Sequence, residues 1–476
     1  MAQIAGNPAS AQVDTSGSPY GVILRLATPT VLAMLTQSIV NEIDIIFFAH
    51  LPCPESSNGQ AALLPSLILL WVFGGSLSAI SVGTQAFTAR RFAERRHTDA
   101  GAVLVNAVCF AAIAGVLFTL VGYLVLPLLL GALKVPGVRE AADGYLHWRL
   151  LGITSMAVTF AFKAFFDGIG KTHVHLVSAV VMNVLNVVLC YTFIFGNFGA
   201  PRMGVSGAGF AAAVSTYVGL FIMVGYALLP DYRGFRLFDL RRFSKGITSD
   251  ILRLSIPSAI ATIAVMTGFM LFVWIVARLD ALAPIGVAES VCGGTEAVNG
   301  AATTDVVGVL KLTFTACLAF GTSTATLVSQ SLGQRDPDKA TRFGWASVRL
   351  GLLLFGILGF CEGVLFTEPI VRLVSHSELV QKAALMPMRI MGICTPLIAV
   401  GMILTQALFG AGNSRFVMMV ELVLHFTCLV PLAYVLGITL NGGLVGIWCA
   451  AVVYVVLLSS AMTWKFASGD WKTIKL

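Results

Sequence analysis

Charge is what this sequence has least of. Only 11% of its 476 residues are Asp, Glu, Lys or Arg, against about 25% in an ordinary soluble domain. That excludes a soluble catalyst and a nucleic-acid-binding module, despite a net charge of +7. No G-x-x-x-x-G-K-[ST] loop occurs, so nucleotide hydrolysis has no phosphate cradle. No D-x-x-x-D pair occurs either, which removes the magnesium-diphosphate chemistry of an intramembrane prenyl transferase. C-x-x-C and Cys/His metal spacings are absent, so no metal site and no cofactor is expected. Seven cysteines (Cys109, Cys190, Cys317, Cys361, Cys394, Cys428 and Cys449) lie inside apolar runs, where Cys behaves as a small hydrophobe. Residues 1–20 lack a basic start and a small-residue cleavage site. They read as a disordered cytoplasmic tail rather than a signal peptide.

What is present is apolar surface in long runs. Hydrophobic residues make up 57% of the chain. A spanning helix needs about 20 apolar residues. Twelve such runs fall near 24–49, 62–86, 101–127, 144–167, 174–196, 207–229, 251–278, 305–331, 343–366, 383–409, 416–437 and 444–466. The expected fold class is therefore an all-α polytopic membrane protein with twelve transmembrane helices. Short-loop Lys and Arg set its orientation. With both termini cytoplasmic, 17 of them fall inside and 4 outside (Lys134, Arg139, Arg202 and Arg372).

The basic stretch 230–250 sits at the midpoint and reads as a cytoplasmic linker. It divides an N-terminal lobe of six helices, 21–229, from a C-terminal lobe of six, 251–466, followed by a cytoplasmic tail, 467–476. The lobes repeat each other. TQAFTARRFAERR (84–96) aligns with STATLVSQSLGQR (323–335), and GVSGAGFAAAV (204–214) with GLVGIWCAAVV (443–453), both at an offset of 239. FFDGIGKT (165–172) aligns with LFGAGNSR (408–415). Six spans per lobe gives both lobes one orientation, so they are parallel repeats with a pseudo-twofold axis along the membrane normal. Such a pair commonly encloses a cavity that opens alternately to each side. Cys53 and Cys292 sit in matching outer loops. They form a candidate disulfide, with separate thiols as the weightier reading.

The first run carries an acid. A carboxylate inside a span is costly and normally faces a partner or a water-filled path. Gln37, Asn41 and Asp44 are spaced 4 and 3 apart, on one helix face. Glu42 lies about 200° round the helix and cannot share that site. The plainer reading makes Asp44 a membrane-edge residue, with Gln37 and Asn41 as helix–helix glue.

Together these segments resemble the multidrug and toxic compound extrusion family. The carriers of the resemblance are Pro29, Gln37 and NEIDIIFFAHL in the first span, GTQAFTARRFAER after the second, and FFDGIGKT. They continue with NVLNVVLCYTFIFGNFGAPRMGVSGAGFAAAVS across spans five and six, then GTSTATLVSQSLGQRDPDKA and QALFGAGNSR. The resemblance implies export of amphipathic organic cations in exchange for protons or sodium. It implies that Asp44 is the coupling-ion site, with Asn186 near it and Asn183 one turn earlier. The sequence departs from the family pattern at Cys190, where one subgroup has a second acid, and at Ala49, where a glycine is usual. Met266 or Val265, and Ile398, stand where another subgroup carries C-lobe acids. Proton coupling through one carboxylate is then simpler than a multi-oxygen sodium cage.

The C-terminal lobe has its own polar pair. Glu421 and His425 lie one turn apart in VELVLHF, and His425 falls on Asn183 at an offset of 242. They read either as a second proton or substrate site or as a static hydrogen-bonded pair. Lys163, Asp167 and Lys171 are each four apart and read as a snorkelling surface ladder. Lys311 either snorkels or pairs with Asp305. The expected whole is a monomeric secondary antiporter in a bacterial inner membrane, driven by a proton gradient and less readily by sodium. It would be no enzyme, and its partners would be small organic cations and the bilayer. The alternative is a flippase for a lipid-linked or other amphipathic substrate. Phosphate-holding Arg or Lys in the spans would favour that reading, and few are present.

Overall fold

The computed structural model describes residues 17–131, 133, 135–282, 287–289, 295–375, 377–474 and 476. Cys292 lies outside them, and so does the proposed pairing with Cys53. The side chain of Asn41 is likewise outside the description, although its backbone is helical.

The chain is helical almost throughout. In hydrocarbon each backbone N–H and C=O needs an internal partner, and only the helix provides one within a single segment. In order, the helices are α1 (Pro19–Ala49), α2 (Glu55–Phe73), α3 (Ile80–Ala93), α4 (His97–Gly131), α5 (Pro136–Gly168), α6 (His173–Phe195) and α7 (Val205–Ala227). There follow α8 (Lys245–Leu282), α9 (Val298–Gly333), α10 (Pro337–Phe360), α11 (Thr367–Val374), α12 (Glu378–Ala411), α13 (Ser414–Val423), α14 (Val430–Tyr434) and α15 (Gly443–Ser468). A short antiparallel pair, β1 (Val287–Glu289) and β2 (Thr295–Ala297), precedes α9.

Among the described residues, eleven helical segments are long and apolar enough to cross a membrane. The difference from the twelve expected runs lies at 62–86. There the helix breaks: α2 ends at Phe73, a 3-10 turn covers Gly75–Ala79, and α3 starts at Ile80. The break falls in Gly-Gly-Ser, the composition at which helices kink. A Cβ on Gly74 would lie 2.5 Å from the Met156 methyl. Three π-helical turns also interrupt the C-terminal spans, at Cys361–Leu365, Leu424–Leu429 and Val435–Thr439.

The chain forms two compact units. The first runs through Ala259 and takes in Ser329–Ala340 and Leu476; the second comprises Ile260–Val328 and Thr341–Lys475. In the first unit, α5 packs against α2, α3, α4 and α7. Its core is aromatic: Phe165 meets Phe235 edge-on at 5.5 Å, and Phe166 meets Tyr232 at 5.4 Å. Small residues let backbones approach, as is usual for helices in lipid. A Cβ on Gly209 would come within 2.3 Å of the Tyr145 carbonyl. In the second unit Phe272 meets Trp448 edge-on at 5.3 Å.

The basic stretch 230–250 is anchored to the first unit. It forms two 3-10 turns, Pro230–Phe235 and Leu240–Arg242, and the first buries Tyr232 and Phe235. Asn106 on α4 holds it by three bonds and makes a fourth within its own helix. Its amide donates to the carbonyls of Ala102 (2.7 Å) and Arg242 (3.1 Å), and its oxygen accepts from the Ser244 N–H (2.8 Å) and the Thr248 hydroxyl (3.0 Å). Gly101 sits under the same stretch, and a Cβ there would lie 1.8 Å from the Phe235 carbonyl oxygen. Gly101→Val is therefore expected to cost about 1–3 kcal/mol by overpacking. A thermal-shift assay on the purified protein checks this, and an unchanged Tm would contradict it.

Candidate functional site

The first candidate site lies where α1 meets α5 and α6, within the first unit. Asp44 is 6% exposed although it belongs to a spanning helix. The Cys190 thiol of α6 points at its Oδ1 from 3.5 Å and at Asn186 Oδ1 from 3.7 Å. One S–H proton serves both acceptors, so at any moment one of them lacks it. Asn186 is buried beside this pair. Arg149 of α5 is close enough for its charge to act on Asp44, Tyr145 and Cys190. Its guanidinium lies 5.6 Å from the centroid of the Tyr145 ring, and its Nε is buried without a hydrogen-bond partner. Phe48 meets Tyr145 edge-on at 6.5 Å.

The structure thus gathers Asp44, Asn186 and Cys190. Asn183 is buried too, but its amide donates to the Thr36 hydroxyl at 2.9 Å rather than reaching Asp44. Gln37 is half-buried and makes no side-chain hydrogen bond among the described residues. Sequence reasoning missed Arg149, Tyr145 and Thr36. For Arg149 a signal existed: it is a cation five residues inside the expected span 144–167.

The second candidate site lies on α13 and the π turn after it, against α15. Glu421 and His425 are 8% and 3% exposed. The Tyr454 hydroxyl donates to Glu421 Oε2 at 2.8 Å. His425 Nδ1 lies 2.9 Å from the Glu421 backbone carbonyl and 3.4 Å from its Oε2. The His425 and Tyr454 rings meet edge-on at 4.6 Å. The π turn Leu424–Leu429 carries His425. Such turns are rare and recur at functional sites. Gly268 on α8 makes the room, since a Cβ there would lie 2.4 Å from the imidazole. Tyr454 was not foreseen, although a single phenol in AAVVYVVLL is the only polar side chain of that run.

The expected surface ladder at the end of α5 is corrected. Lys163 Nζ and Asp167 Oδ2 form an ion pair of 2.8 Å, with side chains 13% and 2% exposed. α5 is flanked by α2, α3, α4 and α7, so Lys163 and Asp167 are enclosed by neighbours, while Lys171 lies beyond the helix end and is half-buried. Removing one partner of a buried pair strands the other charge, at about 3–5 kcal/mol. Lys163→Met is expected to lower thermal stability by that order. A Tm within a degree of wild type would show the pair to be solvated.

Similarity to known proteins fits this geometry. A family model described as MatE matches residues 29–192 and 257–435. A probable multidrug resistance protein NorM from Thermotoga maritima is 26% identical over 466 residues, covering 94% of this chain and 92% of the relative. A second probable NorM, from Caulobacter vibrioides, is 24% identical over 95% of this chain and 92% of its own length. Among solved structures, a MOP-superfamily transporter from Pyrococcus furiosus superposes with a TM-score of 0.84 at 20% identity, covering 96% of this chain and 98% of that one. Eleven apolar helical segments among the described residues, an acid buried in the first of them and a family match over most of the chain lead to one conclusion: the chain belongs to the MatE family, the multidrug and toxic compound extrusion transporters, and is a multi-pass membrane transporter rather than an enzyme.

Proposed function

We infer that this transporter exports amphipathic organic cations in exchange for protons, by alternating access, with Asp44 as the coupling carboxyl. The observation that carries the reading is the setting of Asp44. It is a buried acid in a span, and among the described residues its near neighbours are a thiol, an amide and a guanidinium rather than a cage of oxygens. Sodium prefers several oxygen ligands, as hard cations do. Around Asp44 the sequence supplies Cys190 where a second acid would complete such a cage. A proton needs one oxygen only.

The chemistry then follows from charge. Deprotonated Asp44 attracts a cationic cargo in a low-dielectric setting, where one charge pair weighs heavily. Protonation from the outer side cancels that charge and frees the cargo. The O–H bond also removes the repulsion that a bare carboxylate meets on burial, so α1 can repack with its acid enclosed. Pro29 within α1 supplies a bendable point. Glu421, with Tyr454 and His425, forms a second proton-handling cluster in the other unit. We place the protein in a bacterial inner membrane, as its NorM relatives suggest, with both termini cytoplasmic and acting as a monomer.

The testing experiment uses proteoliposomes loaded with a fluorescent cation. An inward proton gradient should drive export without sodium. Export that follows a sodium gradient alone, with no response to pH, would replace the proton by sodium.

A further inference from the structure

A further buried acid lies apart from both sites in sequence. Glu362 belongs to the π turn Cys361–Leu365 that ends the apolar segment Pro337–Leu365. It is 8% exposed. Its Oε1 accepts from the Thr313 hydroxyl of α9 at 2.7 Å, while its Oε2 is buried and has no hydrogen-bond partner. Its backbone carbonyl accepts from the Thr367 hydroxyl at 2.8 Å.

The placement of this carboxyl is built rather than incidental. The backbones of the π turn and α12 touch through glycines: a Cβ on Gly392 would lie 2.5 Å from the Gly363 Cα, and one on Gly363 would lie 2.9 Å from the Ile393 nitrogen. That close approach occupies one side of the turn and leaves Glu362 facing Thr313. The π turn itself, closed by the Phe366 N–H to the Cys361 carbonyl at 2.8 Å, is the sort of insertion found at functional sites.

Among the described residues no opposite charge faces Glu362. From α9 the titratable group within electrostatic reach is the Cys317 thiol. Lys311, two residues from Thr313, lies about 200° round α9. From α12 the guanidinium of Arg389 turns to Glu368 on α11, at 3.5 Å, and Arg372 of α11 lies 4.0 Å from the same Glu368. Glu368 and Arg372 are more than half exposed. A buried carboxylate with one hydrogen bond and no counter-charge is disfavoured, whereas a carboxylic acid needs just that one acceptor contact and a place for its proton. The orphan Oε2 is that place.

We propose that Glu362, held by Thr313, is a further proton-carrying carboxyl of the transport cycle, beside Asp44 and Glu421, taking a proton on Oε2 from the Glu368–Arg372 end of its span and giving it back in the return step. The O–H bond forms on Oε2 as the carboxylate charge disappears, and breaks again on release, so the step needs no other reactant. This rests on the proton-antiport reading, but it fails separately from it.

The experiment is the proton-to-cation ratio of the full-length protein in proteoliposomes, from the ethidium gradient that balances a set proton gradient. Glu362→Gln keeps the shape and hydrogen bonding of the neutral acid. It is expected to lower the ratio by one proton relative to wild type. An unchanged ratio overturns the proposal and leaves Asp44 coupling untouched. Loss of coupling in wild type itself would sink the antiport reading instead. If Glu362→Gln neither folds nor transports, infrared difference spectra between acid and alkaline samples decide. A protonated-carboxyl band that shifts in Thr313→Val supports the assignment, and the absence of any such band overturns it.

Discussion

Asp44→Asn is expected to reduce proton-driven cation export to background while the protein folds, inserts and elutes as wild type does. Asn matches Asp in shape, so the Cys190 thiol, at 3.5 Å from Oδ1, keeps an acceptor. What disappears is the charge. An amide neither draws a cation nor exchanges a proton, so both halves of the cycle stop together. The effect should be on transport alone, because burying a neutral amide in place of a carboxylate removes a desolvation penalty rather than adding one. Vesicle export and a thermal-shift assay on the same preparation check both clauses. Wild-type export by Asp44→Asn would remove Asp44 from coupling. Cys190→Asp is the informative companion, since it supplies the second acid that this site lacks. It should make export sensitive to sodium if oxygen count is what selects the ion.

Glu421→Gln carries the second-largest expectation. Glu421 has two tethers, the Tyr454 hydroxyl at 2.8 Å and the His425 ring at 3.4 Å. A hydrogen bond to a charged group contributes about 1.5–3 kcal/mol, so its loss in one state of the cycle should slow export by about tenfold or more. The pH profile should flatten, because Gln has no proton to exchange at that position. Tyr454→Phe separates packing from proton handling. It keeps the ring against His425 and removes only the donor, so it should shift the profile without the full loss of rate. Export by Glu421→Gln at the wild-type rate with an unshifted profile would reduce the cluster to a structural clip.

The membrane fold was readable because hydrocarbon imposes one rule on every span, and long apolar runs report it directly. What hydropathy could not show was continuity. The run 62–86 averages as one span, yet Gly74 and Gly75 let it break into α2 and α3. The π turn at LHFTCL is invisible for a similar reason, since one extra residue in a turn does not change how apolar a segment looks. Asp44, Glu421 and His425 stood out as polar groups inside apolar runs. The pairings with Arg149 and Tyr454 did not, because those residues reach them from other helices, and Cys190 stood out only through the family resemblance. Face arguments on one helix explain the limits too. The spacing of Gln37, Asn41 and Asp44 placed them on one stripe, but it could not say that Asn183 would pair with Thr36. Lys163 and Asp167 show the same limit. Their spacing gave the pairing correctly, and only the packing of α5 among four neighbours revealed that the pair is enclosed.

The most direct measurement is export of a fluorescent cation from proteoliposomes holding wild-type protein or Asp44→Asn, under a proton gradient and a sodium gradient imposed separately. Wild type should export under the proton gradient in sodium-free buffer, and Asp44→Asn should export under neither. Proton-driven export by the Asn variant, or wild-type export that answers only to sodium, would contradict the account.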